Sequence, residues 1–192
     1  MKNFLSMALL IFVLILSGCG NNKTAQQVQL PKITRQEAQA KLEELSEGLE
    51  VHYDDMKEFT LCRAHYGVND IEIVPCVFVH DDYSVSLYYH VLYSGHEPLH
   101  FDTLYIKTFD CVKTFKYKNV SILYGNVIVE EYKGKMPKEV YETLKTAVRT
   151  GYAKIRLEGH QMEERELTQD EFDDYEKVFL IYEYFSNVKV VQ

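Results

Sequence analysis

The chain has no tryptophan, and only nine glycines, four prolines and four cysteines in 192 residues. So few glycines leave little material for a phosphate-cradling loop, and no Gly-rich nucleotide spacing occurs. No GxSxG elbow is present to expose a nucleophilic Ser, and although His96-Glu97-Pro98-Leu99-His100 spells HExxH, Pro98 places the two histidines on either side of a turn rather than on one helical face that could hold zinc. An EF-hand calcium loop needs a Gly at its sixth position and a fixed order of acids, and the acidic stretch from Glu163 to Glu176 has neither. Positive charge is also short: 21 Lys and Arg face 29 Asp and Glu, a net charge of −8. That balance disfavours nucleic acid and anionic lipid surfaces as partners. The longest apolar run, Phe4 to Leu16 broken only by Ser6, falls short of the roughly 20 residues that a spanning helix requires.

What is present begins with that run. It has the length of a signal-peptide core, Lys2 places a positive charge before it, and it ends in Leu16-Ser17-Gly18-Cys19. These four residues resemble the lipobox of bacterial lipoproteins: a Leu, two small residues and a Cys. The resemblance implies that residues 1–18 are a cleaved signal and that Cys19 carries a diacylglycerol on its sulfur. It further implies that the acyl chains hold the mature protein on a lipid bilayer outside the cytoplasm, two or more chains being enough for stable anchoring. No Asp follows Cys19, which in a Gram-negative host resembles outer-membrane sorting. Loss of Lys2 leaves 20 bases against 29 acids, a mature charge of −9. Gly20 to Gln29 is polar and without period, so residues 19–33 are expected to be a flexible tether to one domain over residues 34–192.

Within that domain Thr34-Arg35-Gln36-Glu37 forms a capping box, and Ala38, Leu42, Leu45 and Leu49 recur at helical spacing. This predicts a helix over residues 35–47, stopped at Gly48. Strand signals run from residue 51 to residue 132. Ile71 to His80 is apolar on both sides, as in a central strand. Tyr83 to Tyr93 and His100 to Thr108, on either side of Ser94-Gly95-His96-Glu97-Pro98, predict a hairpin. Cys111 to Tyr117 and Val120 to Tyr132, with a turn or bulge at Gly125-Asn126, add further strands. Pro137 opens a helix that ends near Gly151, and Tyr152 to Glu158 alternates as a half-buried strand. Thr168-Gln169-Asp170-Glu171 is a second capping box, opening a helix to about Phe185. The order predicts an α+β fold, an antiparallel sheet of meander or sandwich type flanked by three helices. Together with Tyr53-Asp54-Asp55-Met56 and Ala153 to Gly159, it resembles β-rich domains of uncharacterised bacterial lipoproteins, a likeness that implies no activity.

Three cysteines remain beside Cys19. If the runs Phe59–Ala64 and Ile71–His80 pair about residue 69, Cys62 faces Cys76, and either a cross-strand disulfide or three buried thiols results. Cys111 stays unpaired in both cases. His80, Asp81, Asp82, His90, His96, His100 and Asp102 lie in one stretch and include zinc-ligand types, although such a site needs three or four of them to converge. The alternative is a set of surface and strand-end histidines. Asp54 and Asp55 are adjacent on an extended segment and point to opposite faces, a poor arrangement for shared acid–base work. The acids between Glu163 and Glu176 suit a charged helix start or a docking surface for a basic partner. Tyr88 and His90 occupy the more polar face of their strand, where an exposed Tyr suits protein or glycan binding. These features favour a non-catalytic envelope lipoprotein with a protein or cell-wall partner and no cofactor. A metal-dependent hydrolase using His80, His90, His96, His100 and Asp102 is the second reading.

Overall fold

Capping chemistry sets the helix boundaries. In the computed structural model, which describes residues 29–67 and 70–191, α1 (Arg35–Leu45) starts where Thr34 Oγ1 accepts the Glu37 N–H and the Glu37 carboxylate accepts the Thr34 N–H. The same reciprocal pair, Thr168 with Glu171, starts α3 (Gln169–Ser186). Between them, α2 (Lys138–Thr150) begins after Pro137 and ends on Gly151 in the left-handed conformation, φ 64°. The signal segment, Cys19, most of the tether and Asn69 of the predicted turn lie outside the described residues.

Among the described residues the architecture is α+β, with three helices and sheets that are almost entirely antiparallel. The larger sheet has six strands. In spatial order they are β2 (Glu50–Asp54), β3 (Phe59–Arg63), β4 (Ile71–His80), β5 (Val85–Gly95), β9 (Ile128–Lys135) and β8 (Ser121–Leu123). The smaller sheet orders β11 (Met162–Glu166), β10 (Lys154–Glu158), β6 (Thr103–Lys107) and β7 (Val112–Lys116). A short parallel pair joins β1 (Lys32–Thr34) to β12 (Lys189–Val191), so regular structure starts inside the stretch expected to be tether.

β4 is central and buried on both faces, as its apolar composition predicts. Pro75 is tolerated within it because the Pro75 carbonyl accepts from Ala64, just past the end of β3, which puts the missing N–H on the same side, where the ladder stops. On one face of the six-stranded sheet, here called inner, Val77, Val79, Leu87, Tyr89 and Val91 are buried. α3 packs on that side, its Tyr175 hydroxyl donating to the Ile73 carbonyl. Tyr89 and Tyr132 meet Tyr117, which also touches Phe101, so residues flanking the smaller sheet close the same core.

Two expectations are corrected here. β5 and the run containing β6 do not form a hairpin: β5 pairs with β4 and β9, and β6 with β7 and β10. Residues 96–102 carry the chain from one sheet to the other. That crossing is fixed by Glu130, fully buried on β9, whose carboxylate accepts the His100 N–H at 2.7 Å and the Phe101 N–H at 2.9 Å. Of the two outcomes left open for Cys62 and Cys76, the disulfide is the one that the register excludes, by one residue. Cys62 lies opposite Val77 and Cys76 opposite Arg63, so the two side chains leave the sheet on opposite faces, and both are free buried thiols. Cys111 is free but exposed rather than buried.

Candidate binding face of the six-stranded sheet

Strand alternation and register decide which side chains share the outer face, opposite α3. Glu50, Arg63, Cys76, Tyr88 and Lys135 form one row across five strands. His52, Leu61, Phe78 and Ser86 form the next, and Val74, His90 and Lys133 lie on the other side of the first. The face divides into an aromatic part and a charged part.

The aromatic part is a chain of edge-to-face rings. Phe59 meets Phe78 at 4.8 Å between centroids, and Phe78 meets Tyr88 at 5.1 Å. Phe59 and Phe78 are half-buried, and Tyr88 is 36% exposed. Such edge-to-face pairs are rigid and lose little conformational freedom when a partner covers them.

The charged part centres on His90. Its Nδ1 lies 2.6 Å from the Tyr66 hydroxyl and 3.0 Å from Glu131 Oε1, while Lys133 Nζ lies 2.8 Å from Glu131 Oε2. One ring nitrogen serves these two neighbours in different ways. As a lone pair it accepts from Tyr66, and as an N–H it donates to Glu131. Arg63 stacks over the Tyr66 ring at 4.3 Å and donates from Nε to Glu50 at 2.7 Å. Burial holds the His90 imidazole below the usual histidine range, against the opposing pull of Glu131. Burial also pushes the Tyr66 hydroxyl up to about 12, with Arg63 working against it. Cys76, in the same face, is likewise raised to about 12 by burial, so its sulfur stays protonated and is a poor nucleophile.

The candidate metal ligands do not converge. His80 ends β4 with its ring 6.4 Å from Phe59, and His90 is committed to Tyr66 and Glu131. His96 is exposed in the crossing loop. His100, in the left-handed region at φ 53°, lies against His160 with ring centroids 4.7 Å apart and planes inclined at 56°, and Asp102 accepts from Thr103 Oγ1. Among the described residues no three His, Cys, Asp or Glu side chains gather where one ion could bind them. The hydrolase reading loses its proposed centre for that reason. The acidic run is also divided. Glu163, Glu164 and Glu166 lie on β11, where Glu164 pairs with Lys154 and Arg156 of β10, and the later acids lie on α3.

The sequence singles out Cys76, His80, Tyr88 and His90 on this face, the first as a disulfide candidate and the two histidines as metal-ligand candidates. Tyr66, Glu131, Arg63, Phe59 and Phe78 are absent from that reading, because their neighbourhood depends on the register of β3, β4, β5 and β9. Comparison with protein-family models, with curated proteins and with solved structures finds no match.

Proposed function

We propose that the protein is a lipid-anchored envelope lipoprotein, held through acylated Cys19 on the extracytoplasmic side of a membrane, whose domain binds a protein or cell-wall partner and catalyses nothing. The Leu16-Ser17-Gly18-Cys19 resemblance supports the anchor. The rigid ring series ending in exposed Tyr88 is the observation that carries the binding reading, since it offers apolar and hydrogen-bonding surface together. The charged part around His90 lies beside it, with its side chains already paired to one another, and so serves as a polar rim.

Two measurements test this. Metabolic labelling with palmitate in a bacterial host is expected to mark the protein, and Cys19→Ala to abolish both the label and membrane retention. Retention of Cys19→Ala in the membrane fraction would overturn the anchor. Purified protein is expected to co-sediment with cell-wall polymer or to retain an envelope protein, and Tyr88→Ala to lose that interaction. Equal recovery by Tyr88→Ala would move the binding surface elsewhere.

A further inference from the structure

A second surface, on the other side of the larger sheet, carries a more specific inference, and it stands whether or not the outer face binds a partner. Among the described residues β2 is an edge of the six-stranded sheet, hydrogen-bonded only to β3. An edge strand presents backbone N–H and C=O groups with no neighbour to take them up. The inner-face side chains of β2 are also poorly covered: Val51 is 52% and Tyr53 53% exposed. α3 covers β3, β4 and β5, whereas α1 leans on α3, β1 and β12. Between α1 and β2 lies a groove of about 470 Å³, with Leu42 and Gln39 on the helix side and Val51, Tyr53, Thr60 and Val79 on the sheet side.

Charge identifies what fits there. Asp81 lines the groove beside Tyr53, and Asp54, Asp55 and Glu58 lie at the end of β2 and in the turn that follows it; Asp81 first, then desolvation and these three acids, raises the Tyr53 hydroxyl. Glu43 adds a fifth from α1. The nearby cations are engaged: Arg35 donates to the Asp81 carbonyl at 2.5 Å, and Lys57 lies 3.7 Å from Asp54. A second copy of this chain would bring its own acidic rim to the edge, and the net charge of −8 opposes that approach. An anionic bilayer is opposed for the same reason.

We propose that the β2 edge and its groove receive an extended basic segment of a partner protein, in which Lys or Arg alternates with apolar residues. The segment adds a seventh strand beside Glu50–Asp54 by main-chain hydrogen bonds. Its apolar side chains enter the groove against Val51 and Tyr53, and its alternate cations leave on the outer side, where Asp54 ends β2 and Asp55 and Glu58 follow in the turn.

The test uses the full chain in non-ionic detergent and a fluorescein-labelled peptide of alternating Lys and Val, followed by anisotropy. The peptide is expected to bind, and binding is expected to weaken as salt rises. A peptide of alternating Glu and Val is expected not to bind. A version with two Val replaced by Pro keeps the charge but removes strand pairing, and is expected to bind about tenfold more weakly. Val51→Lys combined with Tyr53→Lys is expected to weaken binding by about tenfold as well. Asp55→Lys, in an exposed turn where folding is not at stake, is expected to weaken it about threefold. Equal binding of the proline peptide, or unchanged binding by Asp55→Lys and by the double variant, would overturn the proposal. So would self-association that excludes the peptide, which would make the edge an interface between copies.

Discussion

Glu130 shows how one residue can decide a chain crossing. Its carboxylate is fully buried and accepts two backbone N–H groups, from His100 and Phe101, at the point where the chain leaves one sheet for the other. Each of its two oxygens takes one of these N–H groups, so both ends of the side chain must accept. Glu130→Gln keeps the shape but turns one end of the group into a donor facing a donor. It is expected to lower stability by about 2–3 kcal/mol, read as a shift of the urea midpoint at unchanged slope. His90 gives a pH signature. Its folded value lies below its ordinary 6.5, so the folded state binds fewer protons than the unfolded one. The stability this histidine supports is present above about pH 6.5 and falls as pH drops from there toward the folded value. Carboxylates held low, such as Glu164 beside Lys154 and Arg156, lose their contribution only below the usual 4.5. Urea midpoints from about pH 7 to about pH 5 are therefore expected to decline in the wild type and to stay level in His90→Gln. At this scale the sequence was least legible. Cys62 and Cys76 fit a bridge on spacing alone, and a register shift of one residue sends them to opposite faces. Nothing near Glu130 in the sequence distinguishes it from Glu131, although one is fully buried and the other faces Lys133.

Among the elements, those with strong local chemistry were the readable ones. Both capping boxes, the Pro137 start and the Gly151 stop appear in the sequence and set the helices to within two residues of expectation. β4 was readable from its two apolar faces. β11 was not, because Met162-Glu163-Glu164-Arg165-Glu166 has no apolar alternation and reads as a solvated charge run. It forms a strand because β10 offers Lys154 and Arg156 opposite its acids. β11 also fixes α3. Arg165 grips Glu171 through two N–H···O contacts of 2.8 and 2.6 Å, while its Nε donates to the Ile71 carbonyl at 2.6 Å. One arginine therefore ties the edge of the smaller sheet, the first turn of α3 and the start of β4 together. The pair is mostly buried, at 17% and 18% side-chain exposure, so loss of the cation leaves a poorly solvated carboxylate behind. Arg165→Ala is expected to cost about 1–3 kcal/mol, and Arg165→Lys to recover only part of it, since an ammonium cannot make the two-pronged contact. Thr168 and Glu171 keep the capping box in both variants, so equal loss by Arg165→Ala and Thr168→Ala would mean that the cap alone explains the effect.

For the whole molecule, what matters mechanically is where the tether enters the fold. The sequence suggested a flexible lead up to residue 33, yet Lys32, Ile33 and Thr34 pair in parallel with Lys189, Val190 and Val191. These short strands carry little hydrophobic pattern, and parallel partners so far apart in sequence leave no local trace, which is why the pairing was invisible. The Lys189 N–H also donates to the Pro31 carbonyl, extending the junction by one bond. α1 begins directly after β1 and lies against both strands, and it also forms one wall of the β2 groove. If Cys19 is anchored, any pull from the membrane reaches the domain first at β1, and β12 is the strand that resists it. Deleting residues 187–192 removes that strand while leaving α3 and the main core in place. The deletion is expected to cost about 1–2 kcal/mol, the net worth of a few backbone hydrogen bonds, and to speed amide exchange in residues 31–45. Exchange across β4 and β5 is expected to stay slow, because their ladders do not involve β12. Unchanged exchange in residues 31–45 would mean that the parallel pair bears no load and that α1 is held by α3 alone.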